Sequence, residues 1–322
     1  MTRWLGLAVA TALVLLLGVA LGSVPLRPGD VFDGLIRNTG EAAVIVRELR
    51  VPRVLLAFLV GGGLAVSGAA LQALVRNPLA DPYLLGLSGG AGLGAVLAIA
   101  FGGGSPWAVP IAAFAGALIA VALVYRLSVV AGRRLDPLVL LLAGVVVGSF
   151  AAALMSAIIA LSDAPRLRNA FLWLLGGFSS ASWPTLALFA IYAVIPLAVL
   201  LLAARGLDLL ALGEEPARHL GADVERLRRR IYLAASLLTA ASVATCGIIG
   251  FVGLVVPHAV RRAWTPMHRV LLPVAFVGGG GFLVLADLVA RTVLRPIELP
   301  VGVVTALVGV PLFALLLRKS LA

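Results

Sequence analysis

The sequence predicts an all-α integral membrane protein: about ten transmembrane helices forming a single domain over residues 1–322, with an inverted internal repeat. Three observations predict it. Hydrophobic residues make up 62% of the chain and charged residues 12%, about half the share usual in soluble domains, and the mean hydropathy is +1.13. Apolar stretches of roughly 20 residues, long enough to cross about 30 Å of hydrocarbon, follow one another from end to end. The arginines fall mostly between those stretches.

The apolar segments run over 4–26, 54–75, 84–101, 107–125, 138–161, 185–204, 231–249, 250–264, 270–290 and 299–317. The first follows Arg3, as in a secretory signal peptide, but so many later spans make a transmembrane helix the better reading. The run from Ile231 to Val260 is too long for one crossing at about 1.5 Å per residue. Gly247, Gly250, Gly253 and Pro257 interrupt it, so two shorter helices around a glycine-rich turn are expected. With the N-terminus inside, Arg27, Arg37, Arg47, Arg50, Arg53, Arg166, Arg168, Arg291 and Arg295 fall outside. That leaves 16 of the 25 basic residues inside, the bias that orients helical membrane proteins. Gly86, Gly90 and Gly94 recur every fourth residue, as do Gly144 and Gly148, a spacing that lets helix backbones approach closely. Gly68 to Pro78 has the spacing of Gly247 to Pro257, at an offset of 179. In this topology the first copy runs inward and the second starts inside, which is the arrangement of an inverted repeat.

The same residues exclude several functions. A net charge of +11 would suggest nucleic acid in a soluble protein, but arginines between spans are orientation signals facing membrane lipid, so no nucleic-acid partner is expected. The single lysine, Lys319, follows Arg318, so the chain has no Gly-x-x-x-x-Gly-Lys-Ser/Thr loop for ATP phosphates. Any ATP-driven process must borrow an ATPase from another polypeptide. No nucleophile–base set and no metal-ligand spacing is present, so neither an enzyme nor a bound cofactor or metal is expected; His219 and His258 stand alone. Cys246 lies in an apolar run and has no cysteine to pair with. Asp287 is the one acidic residue well inside a span, four residues before Arg291, with which it can pair. That scarcity weighs against an ion- or proton-coupled secondary transporter, which is the alternative function.

The inside stretch from Arg205 to Arg230 looks soluble. Glu214 and Glu215 open a short helical pattern, Pro216 suits its first turn and Gly221 its end, and Ala217 and Leu220 give it an apolar side. It is either a charged loop or a docking element for a cytoplasmic partner.

Four stretches, in order along nearly the whole chain, carry a resemblance. The first is Arg50-Val-Pro-Arg53, continuing through Gly68-Ala-Ala-Leu-Gln72 and Arg76-Asn-Pro-Leu-Ala-Asp-Pro82 to Leu85-Gly-Leu-Ser-Gly-Gly-Ala91. The second is Ala211-Leu-Gly-Glu214 with Ala217 and Leu220-Gly221. The third is Gly250-Phe-Val-Gly-Leu-Val-Val-Pro-His258 with Arg261. The fourth is Glu298-Leu-Pro-Val-Gly-Val-Val-Thr-Ala-Leu-Val-Gly-Val-Pro-Leu-Phe313. Together they resemble the permease subunits of ABC importers for iron-siderophores, haem and cobalamin. The resemblance implies a cobalamin-permease-like fold of ten helices in the bacterial inner membrane, and a homodimer enclosing the pore. It also implies two cytoplasmic ATPase subunits and a periplasmic or lipid-anchored substrate-binding protein. The coupling loop would be about 206–228, with Leu212, Gly213, Glu214, Ala217, Leu220 and Gly221 meeting the ATPase. Arg50, Arg53 and Arg291 would take glutamates of the binding protein, a task suited to the rigid guanidinium fork; Arg295 falls outside the pattern. A short helix near Asn169 to Ser179 would belong to the outer gate. The cargo would be a bulky iron chelate (ferric siderophore or haem) or cobalamin, and no residue chooses among them.

Overall fold

The computed structural model describes residues 2–37, 41–102, 105–132 and 136–321; among them there are helices and turns and no strand. The chain begins with α1 (Thr2–Ala20), then the short α2 (Pro28–Ile36) and α3 (Glu41–Val44). A π-helical turn, Ile45–Arg50, leads without a break into α4 (Val51–Val75). There follow a 3-10 turn at Pro82–Leu85, α5 (Leu87–Phe101), α6 (Ala108–Gly132), α7 (Pro137–Ala160), the short α8 (Ala164–Leu174) and α9 (Trp183–Leu202). The rest comprises α10 (Ala204–Leu212), α11 (Glu214–His219), α12 (Val224–Cys246), α13 (Val252–Ala263), α14 (His268–Ala290) and α15 (Val301–Leu321).

Each of the ten expected segments lies on one helix: α1, α4, α5, α6, α7, α9, α12, α13, α14 and α15. Six of the described helical runs are long and apolar enough to cross a membrane by themselves, the second being the continuous run Ala42–Val75. The second span therefore starts about three turns before its apolar part, which puts Arg50 and Arg53 on the helix instead of in a loop. The long run from 231 does divide. Gly247 ends α12 with φ +72, a conformation that needs glycine, and a Cβ there would lie 2.2 Å from the Trp173 carbonyl oxygen. The division is unequal: twelve-residue α13 reaches only about 18 Å, little over half the hydrocarbon.

The fold is built around α4, which is buried over most of its length and packs on α14, α12, α13 and α9. Helices in lipid gain little from hydrophobic exclusion, so close backbone contact has to hold them together. The motif Phe-x-x-Gly-Gly occurs at 58–62 on α4 and again at 276–280 on α14. The two copies meet head to tail. Added Cβ atoms on Gly61 and Gly279 would lie 2.3 and 2.4 Å from each other's carbonyl oxygens, and the rings of Phe276 and Phe58 cover Gly62 and Gly280. The two rings themselves meet edge to face at 5.9 Å. This reciprocal antiparallel contact is the local geometry of an inverted repeat. The register proposed from Gly68 and Gly247 is not the structural one, because Gly68 lies inside α4, packed on the Gly253 backbone, whereas Gly247 ends a helix. The four-residue glycine spacing acts as expected: Gly90 meets Gly116, Gly94 meets Ala112, and Gly86 and Gly89 meet Gly144 and Gly148.

Candidate functional site

At one end of the helix bundle, α4 and α14 bring five charged residues together. Arg50 and Arg53 lie about one turn apart on the helical run into α4, and Asp287 and Arg291 one turn apart at the end of α14. Glu298 lies in the connection to α15. Arg53 grips Asp287, with Nε and Nη2 donating to Oδ1 at 3.0 and 2.8 Å, and Nη1 donates to Glu298 Oε2 at 2.9 Å. Arg291 Nε lies 3.1 Å from Asp287 Oδ2, and its Nη2 donates to the Gly18 carbonyl at 2.5 Å. Arg50 takes the end of α1: Nη1 donates to the carbonyls of Val19 and Ala20 at 2.9 and 2.6 Å, and Nη2 to that of Val24 at 2.5 Å. The last carbonyls of a helix have no partners within it, and a cation suits their negative end.

The three arginines singled out in the sequence are thus brought together in unequal environments. Arg50 and Arg291 are buried and bound to their own chain. Arg53 retains 14% of its side-chain exposure and Glu298 30%, so these two form the open edge of the cluster. Asp287, 1% exposed, does meet Arg291 as expected, but its bidentate partner is Arg53 on another helix. Sequence reasoning missed this pairing and the part played by Glu298, although Glu298 begins one of the quoted motifs.

Beside Arg53 and Glu298 lies a cavity of about 350 Å³, walled by Trp173, the turn at 176–180, Thr245, Cys246 and the start of α15. Three backbones converge on it: Gly177 N–H donates to the Cys246 carbonyl at 2.8 Å, and Val301 N–H to that of Gly176 at 2.9 Å. Gly176 takes φ +68 between them. The short helix anticipated near 169–179 is α8; it begins earlier, where Asp163 caps it by accepting the Arg166 N–H at 3.0 Å, and residues 176–180 form the turn.

At the opposite face α10 and α11 meet at Gly213 (φ +113), and α11 closes on Gly221 (φ +83). Gly221 N–H donates to the Arg218 carbonyl at 2.9 Å and Ala222 N–H to that of Ala217 at 3.0 Å, the paired bonds of a Schellman cap. Glu214 turns back to Arg218 at 3.2 Å and to the buried Arg228 at 2.5 Å, bracing the corner against α12. Ala217 and Leu220 do not share an apolar side as expected. Ala217 is fully buried, whereas Leu220 comes after the last residue of six-residue α11 and stands out 63% exposed. Leu212, before the corner, is 64% exposed. Two leucines therefore flank a rigidly capped corner, both open to solvent. In the turn between α4 and α5, burial pushes the Asp81 carboxyl up to about 6, even though it accepts the Tyr83 N–H at 2.8 Å. Among the described residues, no group of three His, Cys, Asp or Glu is placed to hold a metal ion.

An all-helical bundle built on α4, with a capped helical corner at one face and an arginine cluster over a cavity at the other, defines the class: the multi-pass permease subunit of an ABC importer. The FecCD transport family matches residues 10–319, and the chain belongs to that family. It is 42% identical to the vitamin B12 import system permease protein BtuC of Escherichia coli O1:K1 / APEC, over 99% of this chain and 95% of that one. It is 40% identical to YvrB of Bacillus subtilis (strain 168), an uncharacterized ABC transporter permease protein, over 96% and 91%. A solved structure assigned to the metal-chelate type ABC transporters, in an inward-facing conformation, superposes with a TM-score of 0.88 over 99% of both chains at 31% identity. PsaBC from Streptococcus pneumoniae, solved with a Fab, shares the fold alone, with a TM-score of 0.59 at 17% identity over 85% of this chain and 92% of that one.

Proposed function

We propose that this chain is the conduit of an ATP-driven importer of a bulky metal chelate, working as a homodimer in the bacterial inner membrane. Two separate cytoplasmic ATPases drive it, and a periplasmic or lipid-anchored binding protein delivers the cargo. The observation that carries this reading is the α10–α11 corner. A chain with no phosphate-binding loop presents Leu212 and Leu220 to solvent on an element held by two positive-φ glycines and the Glu214–Arg228 brace. Exposed leucines on a rigid support suit a permanent partner that covers them. In this reading Leu212, Gly213, Glu214, Ala217, Leu220 and Gly221 make up the ATPase contact, the leucines by touching it and the others by shaping the corner.

At the outer face the binding protein docks over Arg50, Arg53 and Arg291. Arg53 offers the contact, and the two buried arginines hold it in place through Asp287 and the end of α1. Nucleotide-driven movement of the corner then changes which side the path opens to, with the turn at 176–180 at the outer mouth. Cobalamin is the first cargo to test, since the name of the 42% identical relative supports it; a ferric siderophore and haem follow. The ion-coupled alternative is disfavoured by Asp287, the one acidic residue well inside a span, which is tied into ion pairs with both Arg53 and Arg291. The test is uptake of labelled cyanocobalamin, a ferric hydroxamate or haem into proteoliposomes holding the permease, its ATPase and its binding protein. Uptake is expected to need ATP and to survive an uncoupler. Uptake driven by an ion gradient without ATP overturns the proposal.

A further inference from the structure

We infer that Asp208 and His268 form the joint through which the α10–α11 corner moves α14; this rests on the proposed reading of that corner as the ATPase contact. Asp208 lies in the middle of α10, and its Oδ1 accepts the backbone N–H of His268 at 2.9 Å and faces the ring Nδ1 at 2.7 Å. His268 is the first residue of α14, and Met267 before it contributes no side-chain cap. The N–H groups of a helix's first turn have no partners inside the helix, and a carboxylate suits their positive end. A residue of the coupling element therefore does the capping for a membrane helix. The ring is buried, and its Nε2 is enclosed without a hydrogen-bond partner, so the contact with Asp208 is the polar contact that fixes which way the ring faces.

What α14 meets farther along makes this contact more than a local tie. Over 23 residues, about 34 Å, α14 runs from His268 to the outer face. Midway, Gly279 locks it against Gly61 of α4. Near its outer end Asp287 holds Arg53 and Arg291. One helix is thus fastened by carboxylates at both faces: by Asp208 to the corner, and by Asp287 to the arginines beside the outer cavity. Close glycine contact allows α4 and α14 little freedom to slide past one another, so they move as one strut. Asp208 and His268 act through α14, and are positioning residues for transport.

The test uses the assembled importer in proteoliposomes, reading three quantities: ATPase retained on purification, stimulation of ATP hydrolysis by the binding protein, and cargo taken up per ATP. Asp208→Ala is expected to keep its ATPase and lose about fivefold or more in both stimulation and cargo per ATP, the lower range of ordinary coupling energies. Asp208→Asn keeps an oxygen that accepts both N–H groups and should recover most of the loss. Wild-type stimulation and cargo per ATP in Asp208→Ala overturn the joint, as does a variant that is less heat-stable but equally coupled. If Asp208→Ala does not assemble, His268→Ala carries the same expectation and the same refutation from the other side of the contact. Leu220→Arg tests the underlying reading separately. Normal ATPase retention and uptake in that variant overturn the corner's role whatever Asp208→Ala does. Loss in Leu220→Arg beside normal coupling in Asp208→Ala overturns the joint alone.

Discussion

Glu298→Gln should tighten docking of the binding protein. Arg53 Nη1 is held by Glu298 Oε2 at 2.9 Å, so a carboxylate arriving from outside competes with one already in place. Both partners are partly exposed, and such pairs contribute about 0.5–1 kcal/mol once solvent screening is counted. Removing the competitor while keeping the shape should therefore lower the dissociation constant about two- to fivefold. The bidentate Arg53–Asp287 grip is untouched, so Arg53 keeps its position. The assay is a titration of binding protein against the permease–ATPase complex in nanodiscs, at low and high salt. Glu48→Gln, at an exposed position on the helical run that carries Arg50 and Arg53, controls for the loss of one negative charge. A general field effect helps both variants and fades with salt, whereas relief of competition helps Glu298→Gln and persists. Unchanged or weaker docking in Glu298→Gln, or a gain equal to that of Glu48→Gln at every salt concentration, would refute the reasoning.

Gly68→Ala places a Cβ 2.0 Å from the Gly253 carbonyl oxygen, where neither backbone can yield easily, and should cost about 1–3 kcal/mol or more; Gly250→Ala, with nothing within 4 Å, should cost far less, and melting in detergent compares them. Replacing Leu212 and Leu220 by serine should weaken ATPase binding about tenfold or more for each leucine, judged from the burial free energy of a leucine side chain and measured by co-purification at graded ATPase concentration. Asp81 has a folded-state pKa raised by burial to about 6, so the fold favours its protonated form: that stabilisation is complete below the unfolded value of 3.8 and is lost as pH rises through 6. Asp81→Asn keeps an acceptor for the Tyr83 N–H and should remove this part of the pH dependence, seen as a flatter melting temperature between those two pH values.

How much was legible in the sequence follows the range of the interactions. The glycine corner was legible because its signals are local: Gly221 lies seven residues after Glu214 opens the helix, and the two bonds of its cap join residues three and five positions apart. The break at Gly247 was legible for the same reason, as was the close packing signalled by four-residue glycine spacing. The unequal division of that run was not, because the length of α13 depends on where Phe251 turns and on what α12 and α13 pack against. Ala217 and Leu220 were assigned to one side of a helix from their spacing, yet the helix stops between them, and spacing carries no meaning past a helix end.

By itself, the sequence determined that this is a multi-span helical membrane protein, with arginines biased to one side, glycine-lined helix contacts and no ATP-binding loop of its own, because composition and short-range pattern encode those properties directly. Only the tertiary structure decided which arginines are occupied and which is open. Arg53 finds Asp287 and Glu298 more than 230 positions away, Arg291 reaches back to Gly18, and Asp208 caps a helix that starts 60 residues later. A charge buried in a membrane protein must find its partner wherever the packing brings one, and that packing is set by the whole set of helices together.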